Sequence, residues 1–150
     1  MNYLVEIKKE YTITLVNILT PLIYQGLESI YKDAKKISED DDVLKNFQKF
    51  LRGIPKWNTN LIENEVDRIL INSRCGDWLH DLIKAVIKSN IMILTNNFMY
   101  KKKVSSIDEK FYDQISMNDF IHKVYIECAR EIWNNPYLFY DAYSPIDLKR

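Results

Sequence analysis

Two cysteines and two histidines are the side chains in this sequence best suited to bind a metal or act as a nucleophile: Cys75, His80, His122 and Cys128. Structural zinc sites take pairs of ligands from closely spaced positions, a spacing that neither Cys–His pair has. Cys75 precedes a predicted helix start, where amide dipoles can activate a thiol, and His80 follows it. Because neither pair has the spacing of a zinc site, we predict no metal, no cofactor and no catalytic residues. The position of Cys75 keeps a cysteine- or metal-dependent enzyme as the second alternative function.

Asp77 and His80 stand one helical turn apart, as a carboxylate and an imidazole do in di-iron helix bundles. Such sites need a second copy of this pair and two further inward glutamates, and the sequence contains no second copy. The three glycines are too scattered for a phosphate-binding loop, and no serine has the flanking glycines of a nucleophile elbow. Asp77 is predicted instead to cap the helix that follows it.

A group of lysines beside a tyrosine is the candidate nucleic-acid site. Lysines hold phosphates, and an aromatic ring can stack on a base. Lys plus Arg equals Asp plus Glu at 21 each, so the chain has no overall positive charge to support such binding. Nucleic-acid binding is therefore the first alternative function, and its candidate residues are Lys84, Lys88, Tyr100, Lys101, Lys102 and Lys103.

Aromatic residues are dense around the end of the last predicted helix. Most of them should enter the core, but those left exposed together would mark a protein interface. The candidate interface residues are Trp133, Tyr137, Phe139, Tyr140 and Tyr143.

Composition is typical of one globular domain, with 47% hydrophobic and 28% charged residues in 150. No apolar run reaches the roughly 20 residues that span a bilayer, so no membrane insertion is predicted. The first residues lack a signal-peptide hydrophobic region, which favours the cytosol and free thiols over a disulfide.

Apolar residues recur at three- and four-residue steps through most of the chain, which predicts an all-α fold. We expect a single-domain helical bundle of about five to six helices over residues 1–150, with a central hydrophobic helix near residues 77–98. Pro21 is expected to kink the first helix or to begin a new one capped by Thr20. The predicted inward positions of that first segment are Leu4, Ile7, Tyr11, Leu15, Ile18, Leu22, Leu27, Ile30, Ala34 and Ile37.

Helix ends follow from capping residues and breakers. Asp42 and Asn58 are predicted caps, and the chain breaks again at residues 73–76. Residues 104–117 are predicted to form a loop, and the last helix begins near Asn118 or Asp119. The predicted inward residues of the second helix are Val43, Leu44, Phe47, Phe50 and Leu51. Those of the last helix are Ile121, Val124, Cys128 and Ile132.

Three strings carry a family resemblance: FLRGIPKWN at 50–58, IHKVYIECAREIW at 121–133 and NPYLF at 135–139. In these strings the chain resembles a family of uncharacterised proteins from large nucleocytoplasmic DNA viruses, the giant viruses of protists. The resemblance implies a viral protein in the host cytoplasm, the virus factory or the virion, but implies no activity. Members of the family continue beyond this chain, so it is expected to be the N-terminal part of a longer one, which suits the helix opening at Ser144.

The preferred hypothesis is a non-enzymatic viral protein that works through protein contacts in the virion or in assembly. Its partner would be a viral protein, a host protein or a second copy of the chain. The aromatic cluster and the absence of an assembled catalytic set motivate this hypothesis.

Overall fold

The fold is that of a computed structural model, which describes residues 2–97 and 114–139, apart from the side chains of Asn2, Leu4 and residues 92–97. The predicted all-α class is confirmed, since the described residues form helices and no strand. Most of the predicted loop at 104–117 lies outside those residues. The predicted helix opening at Ser144 lies wholly outside them. The helices are α1 (Asn2–Ile37), α2 (Val43–Gly53), α3 (Thr59–Ser73), α4 (Gly76–Asn97) and α5 (Met117–Asn134), with 3-10 turns at Ile54–Lys56 and Pro136–Phe139.

Helix α1 continues through Pro21. A proline inside a helix removes one backbone donor, and its ring crowds the preceding turn. The side chain of Pro21 is exposed, while Leu19, Leu22 and Ile23 around it are buried, so apolar packing on both sides offsets that cost. The alternative in which Thr20 caps a new helix is therefore wrong.

The predicted caps have mixed outcomes. The Asn58 Oδ1 atom accepts a hydrogen bond from the Leu61 amide at 2.9 Å, which confirms Asn58 as the cap of α3. Asp42 stands at the N-cap position of α2, as predicted, but its side chain makes no capping hydrogen bond. Its backbone carbonyl oxygen instead accepts from the Asn46 amide at 3.0 Å.

The break before α4 is built differently from the prediction. Arg74 has a left-handed backbone with φ of 59°, which ends α3 sharply. The Cys75 carbonyl oxygen accepts from the Leu79 amide at 2.9 Å, so Cys75 stands at the cap position. Asp77 lies inside the first turn and is not the cap, although its charge still suits the helix dipole there.

The buried side of α1 turns along its length. Tyr11 and Ile37, predicted to face inward, are exposed, whereas Leu19, Ile23 and Tyr31 are buried. The first and second parts of this helix belong to different packing units, so one continuous face does not describe both. The other described positions of the predicted face are buried or half-buried: Ile7, Leu15, Ile18, Leu22, Leu27, Ile30 and Ala34.

Helix α5 buries a face rotated from the predicted one. Tyr125 and Ala129 are buried with Ile121, whereas the predicted Val124, Cys128 and Ile132 are only half-buried. The helix begins at Met117 because the Ser116 hydroxyl oxygen accepts from the Asp119 amide at 3.2 Å.

The chain packs as two compact units. One contains Met1–Leu22 and Val66–Phe120, and the other contains Ile23–Glu65 and Ile121–Arg150. The single-domain organisation stays a prediction. Buried hydrophobic residues of the first unit are Leu15, Leu19, Leu22, Val66, Ile69, Cys75, Leu79, Leu82 and Ile83. Those of the second unit are Ile23, Leu27, Tyr31, Ala34, Val43, Phe47, Leu51, Ile54, Ile121, Tyr125 and Ala129.

Candidate functional site

A groove between α2 and α5 in the second unit is the candidate functional site. Its volume is about 360 Å³, within the range of ligand pockets. Buried Leu51 and Ala129 form its floor, and Pro55 stands at the 3-10 turn that follows α2. The complete lining is Leu51, Arg52, Pro55, Ile126, Ala129, Arg130, Trp133 and Asn134.

Two contacts hold Trp133 in the lining of this groove. The Gln48 side-chain amide donates to the Trp133 carbonyl oxygen at 2.9 Å, which ties the end of α5 to α2. The Arg52 guanidinium lies 5.2 Å from the centre of the Trp133 ring, within the range of a cation–π interaction. Trp133 nevertheless remains 36% exposed, so the ring is both positioned and accessible.

The charged side chains that line the α2–α5 groove are both arginines. Arg130 pairs with Glu127 at 3.1 Å, and Lys123 approaches the same carboxylate at 3.5 Å. In the described part of the chain, Arg52 makes no ion pair. The Glu127 carboxylate therefore faces two positive charges on α5, those of Lys123 and Arg130. Arg52 adds a third positive charge on α2.

The aromatic residues after α5 separate into inward and outward groups. The Phe139 ring centre lies 5.5 Å from that of Tyr24 and 5.4 Å from that of Phe47, so Phe139 packs within the chain. Tyr137 and Leu138 are exposed. Of the candidate interface residues, Trp133 and Tyr137 thus present accessible surface, while Tyr140 and Tyr143 lie outside the described residues.

A second cavity, of about 530 Å³, is lined in part by Glu65, which makes a part-buried polar contact with Tyr125. The hydroxyl of Tyr125, which is fully buried, donates a hydrogen bond to the Glu65 carboxylate, and Gly26 approaches both groups closely. The Trp57 ring packs 5.1 Å from Tyr125 and is nearly parallel to the His122 ring. The cavity is lined by Gly26, Ser29, Ile30, Asp33, Lys49, Phe50, Gly53, Trp57, Leu61, Asn64 and Glu65.

The sequence-based prediction included Trp133 but missed Arg52 and the Glu65–Tyr125 contact. The sequence does contain a signal for Tyr125, because Ile121, Tyr125 and Ala129 share one helix face at four-residue steps. Arg52 offered no comparable signal, since its partner Trp133 is distant in the chain.

Comparison with models of protein families shows which family this chain belongs to. A model of a family of unknown function, DUF5764, matches residues 1–140. The chain belongs to the DUF5764 family. No curated protein and no solved structure matches it. Among the described residues of this family member, no helix is long and apolar enough to cross a membrane.

The cysteines and histidines occupy separate structural settings. Both cysteines are free thiols, Cys75 buried and Cys128 half-buried. The His80 Nε2 atom lies 2.8 Å from the Ile115 carbonyl oxygen, and the His122 Nε2 atom lies 2.8 Å from that of Ile54. Because a carbonyl only accepts, both Nε2 atoms carry a proton and tie their helices to neighbouring segments. No three His, Cys, Asp or Glu side chains group as metal ligands in the described ranges.

Both thiols are expected to react slowly with iodoacetamide at about pH 8, because the thiolate is the attacking species. Cys75 is buried, and burial, followed by the Glu127 charge, raises the pKa of the Cys128 thiol above its ordinary value of 9.0. The Cys128 rate should therefore rise only as the pH passes above that ordinary value. Mass spectrometry of Cys75→Ala and Cys128→Ala variants measures each thiol separately.

The urea-unfolded chain supplies the reference rate for both thiols. A thiol that reacts faster in the folded protein than in the unfolded chain near neutral pH would contradict this prediction and favour a cysteine enzyme.

The lysine strip is only partly within the described residues. Lys84 is half-buried and Lys88 exposed on α4, and each has an interaction partner within the protein. Tyr100, Lys101, Lys102 and Lys103 lie outside the described ranges. Nucleic-acid binding by this strip stays a prediction.

Proposed function

We propose that this DUF5764 protein acts without catalysis, by docking another protein on the α2–α5 groove, which Trp133 lines, and on the exposed Tyr137 and Leu138 side chains that follow α5. The observation that carries the proposal is an apolar groove whose tryptophan is held in place yet accessible. Tryptophan, tyrosine and arginine are the residues most enriched at the energetic centres of protein interfaces.

The structure of the groove supports recognition of a helix or a short segment of a partner. An amphipathic helix binds in an apolar groove through side chains spaced three or four residues apart. Leu51 and Ala129 are already buried and need no rearrangement, while Trp133 is fixed by α2. A surface prepared in this way loses little side-chain entropy when a partner docks.

The setting that we propose is viral. The resemblance to proteins of large nucleocytoplasmic DNA viruses supports a role in the virion or in its assembly, in the host cytoplasm or the virus factory. The partner would then be a viral protein, a host protein or a second copy of this chain.

Photo-crosslinking from Tyr137 tests this proposal. A benzophenone amino acid at Tyr137 is expected to give a discrete crosslinked product in the cells that make the protein, because this exposed residue belongs to the proposed docking surface. Mass spectrometry identifies the product, and light scattering of the purified chain separates a second copy from a different partner.

The same crosslinker at exposed Lys45 on α2, which lines neither cavity, is the control. Equal products from both positions, or no product from Tyr137 together with a monomeric chain, would argue against docking at this surface.

A further inference from the structure

We propose that the α2–α5 groove selects an acidic partner: a helix in which a carboxylate stands within one turn of an apolar anchor residue. This inference rests on the proposed docking function and adds the chemistry of the partner. Charge complementarity between that carboxylate and the arginines of the groove is its basis.

The lining has two positive side chains, Arg52 and Arg130, and no acidic one. Arg130 shares Glu127 with Lys123, so the carboxylate that pairs with Arg130 is already divided between two cations. A partner without negative charge would leave this positive surface partly desolvated and uncompensated, whereas a carboxylate would neutralise it. The groove therefore favours acidic partners over neutral or basic ones.

Arg52 is available to bind a carboxylate. Its guanidinium carbon lies over the Trp133 ring, 5.2 Å from the ring centre, and its side chain is exposed. A cation–π contact uses none of the guanidinium N–H donors as hydrogen bonds to the ring, so these donors can form paired hydrogen bonds with the two oxygens of a carboxylate. Because the contact with Trp133 already restricts the Arg52 side chain, binding costs less entropy than it would for an arginine without such a contact.

The apolar floor supplies the second half of the recognition. Leu51 and Ala129 lie at the bottom, and Pro55 and Ile126 contribute further apolar lining. A leucine or phenylalanine side chain of the partner would bury its surface there, next to Arg52. On a helix, residues three or four positions apart share a face, so one turn can present both the anchor and the carboxylate.

Two synthetic peptides test the inference on the whole chain. Each has about 15 residues, the length at which an isolated helix begins to form, and carries leucines one turn apart. One has glutamates flanking the leucines, and the other has glutamines at those positions. NMR titration of the ¹⁵N-labelled protein locates and measures binding. We expect shifts at the Trp133 indole and about tenfold tighter binding of the acidic peptide, the size of one charge-assisted pair.

Arg52→Gln should weaken binding of the acidic peptide about tenfold and leave the neutral peptide nearly unchanged. Lys45→Gln removes the same charge from an exposed site on the same helix and should leave both affinities unchanged. Circular dichroism of each variant checks that the helices are retained.

The outcomes separate the two proposals. Equal affinity for both peptides, lost on Trp133→Ala, would overturn the acidic preference and leave the docking function in place. An equal effect of Arg52→Gln and Lys45→Gln would show general charge attraction and also overturn it. Binding of neither peptide, or shifts confined to other surfaces, would overturn docking at the groove itself.

Discussion

Gly26→Ala is expected to destabilise the protein by about 3 kcal/mol, the upper part of the range for overpacking a core. A methyl group at Gly26 would overlap the hydroxyl oxygen of buried Tyr125 and would lie 3.0 Å from a Glu65 carboxylate oxygen. Tyr125 is fully buried and hydrogen-bonded to Glu65, so its hydroxyl cannot move aside without breaking that contact. Urea unfolding followed by circular dichroism measures the change.

Gly53→Ala is the matched control for this prediction. The added methyl group would meet nothing within 4 Å, so alanine should be neutral or should stabilise by up to about 1 kcal/mol through helix propensity. Removing the hydroxyl with Tyr125→Phe should recover part of the Gly26→Ala loss in the double variant, because the two sites share one contact. Equal effects of the two glycine variants, or strict additivity with Tyr125→Phe, would contradict this account.

The sequence predicts the helices well because their boundaries depend on local chemistry. The predicted start of α4 lies within one residue of the observed one at Gly76, and Asn58 marks the start of α3 through a hydrogen bond to its own first turn. The prediction of a new helix capped by Thr20 fails for the opposite reason. Whether a helix tolerates a proline depends on the packing around it, and that packing comes from elsewhere in the chain.

The direction in which each helix faces is less predictable than its extent. In α5 the chosen face contained Val124 and Cys128, whereas the structure buries Tyr125. Hydrophobicity alone ranks valine above tyrosine, but a buried tyrosine needs only one partner for its hydroxyl. That partner is Glu65, which lies 60 residues away and cannot be recognised from the sequence around α5.

The same limit applies to the candidate groove. Trp133 and Tyr137 could be singled out because aromatic residues are dense after α5, but the density did not distinguish Phe139, which packs inward on Tyr24 and Phe47. Arg52 acquires its role only when α2 meets the end of α5, across a contact between residues 85 positions apart. A docking surface made by two helices becomes visible only after both have been placed.

Phe47→Ala is expected to lower the free energy of unfolding by about 3–5 kcal/mol, the usual loss for a fully buried phenylalanine. The ring centre lies 5.3 Å from that of Tyr31 in an edge-on contact and 5.4 Å from that of Phe139. Removal of the ring leaves a cavity and removes one ring contact from each of these two aromatic neighbours. Thermal and urea unfolding of the purified variant measure the loss.

Phe50→Ala on the same helix separates burial from residue type. The two phenylalanines were predicted to share an inward face, but Phe50 is 36% exposed, so its removal should cost less than about 1 kcal/mol. Equal losses would mean that α2 is rotated from the orientation described, which would also displace Arg52 from Trp133. If only Phe47→Ala lowers the free energy of unfolding substantially, α2 has the orientation described. Arg52 then lies on the side of α2 that lines the groove, where the proposed docking requires it.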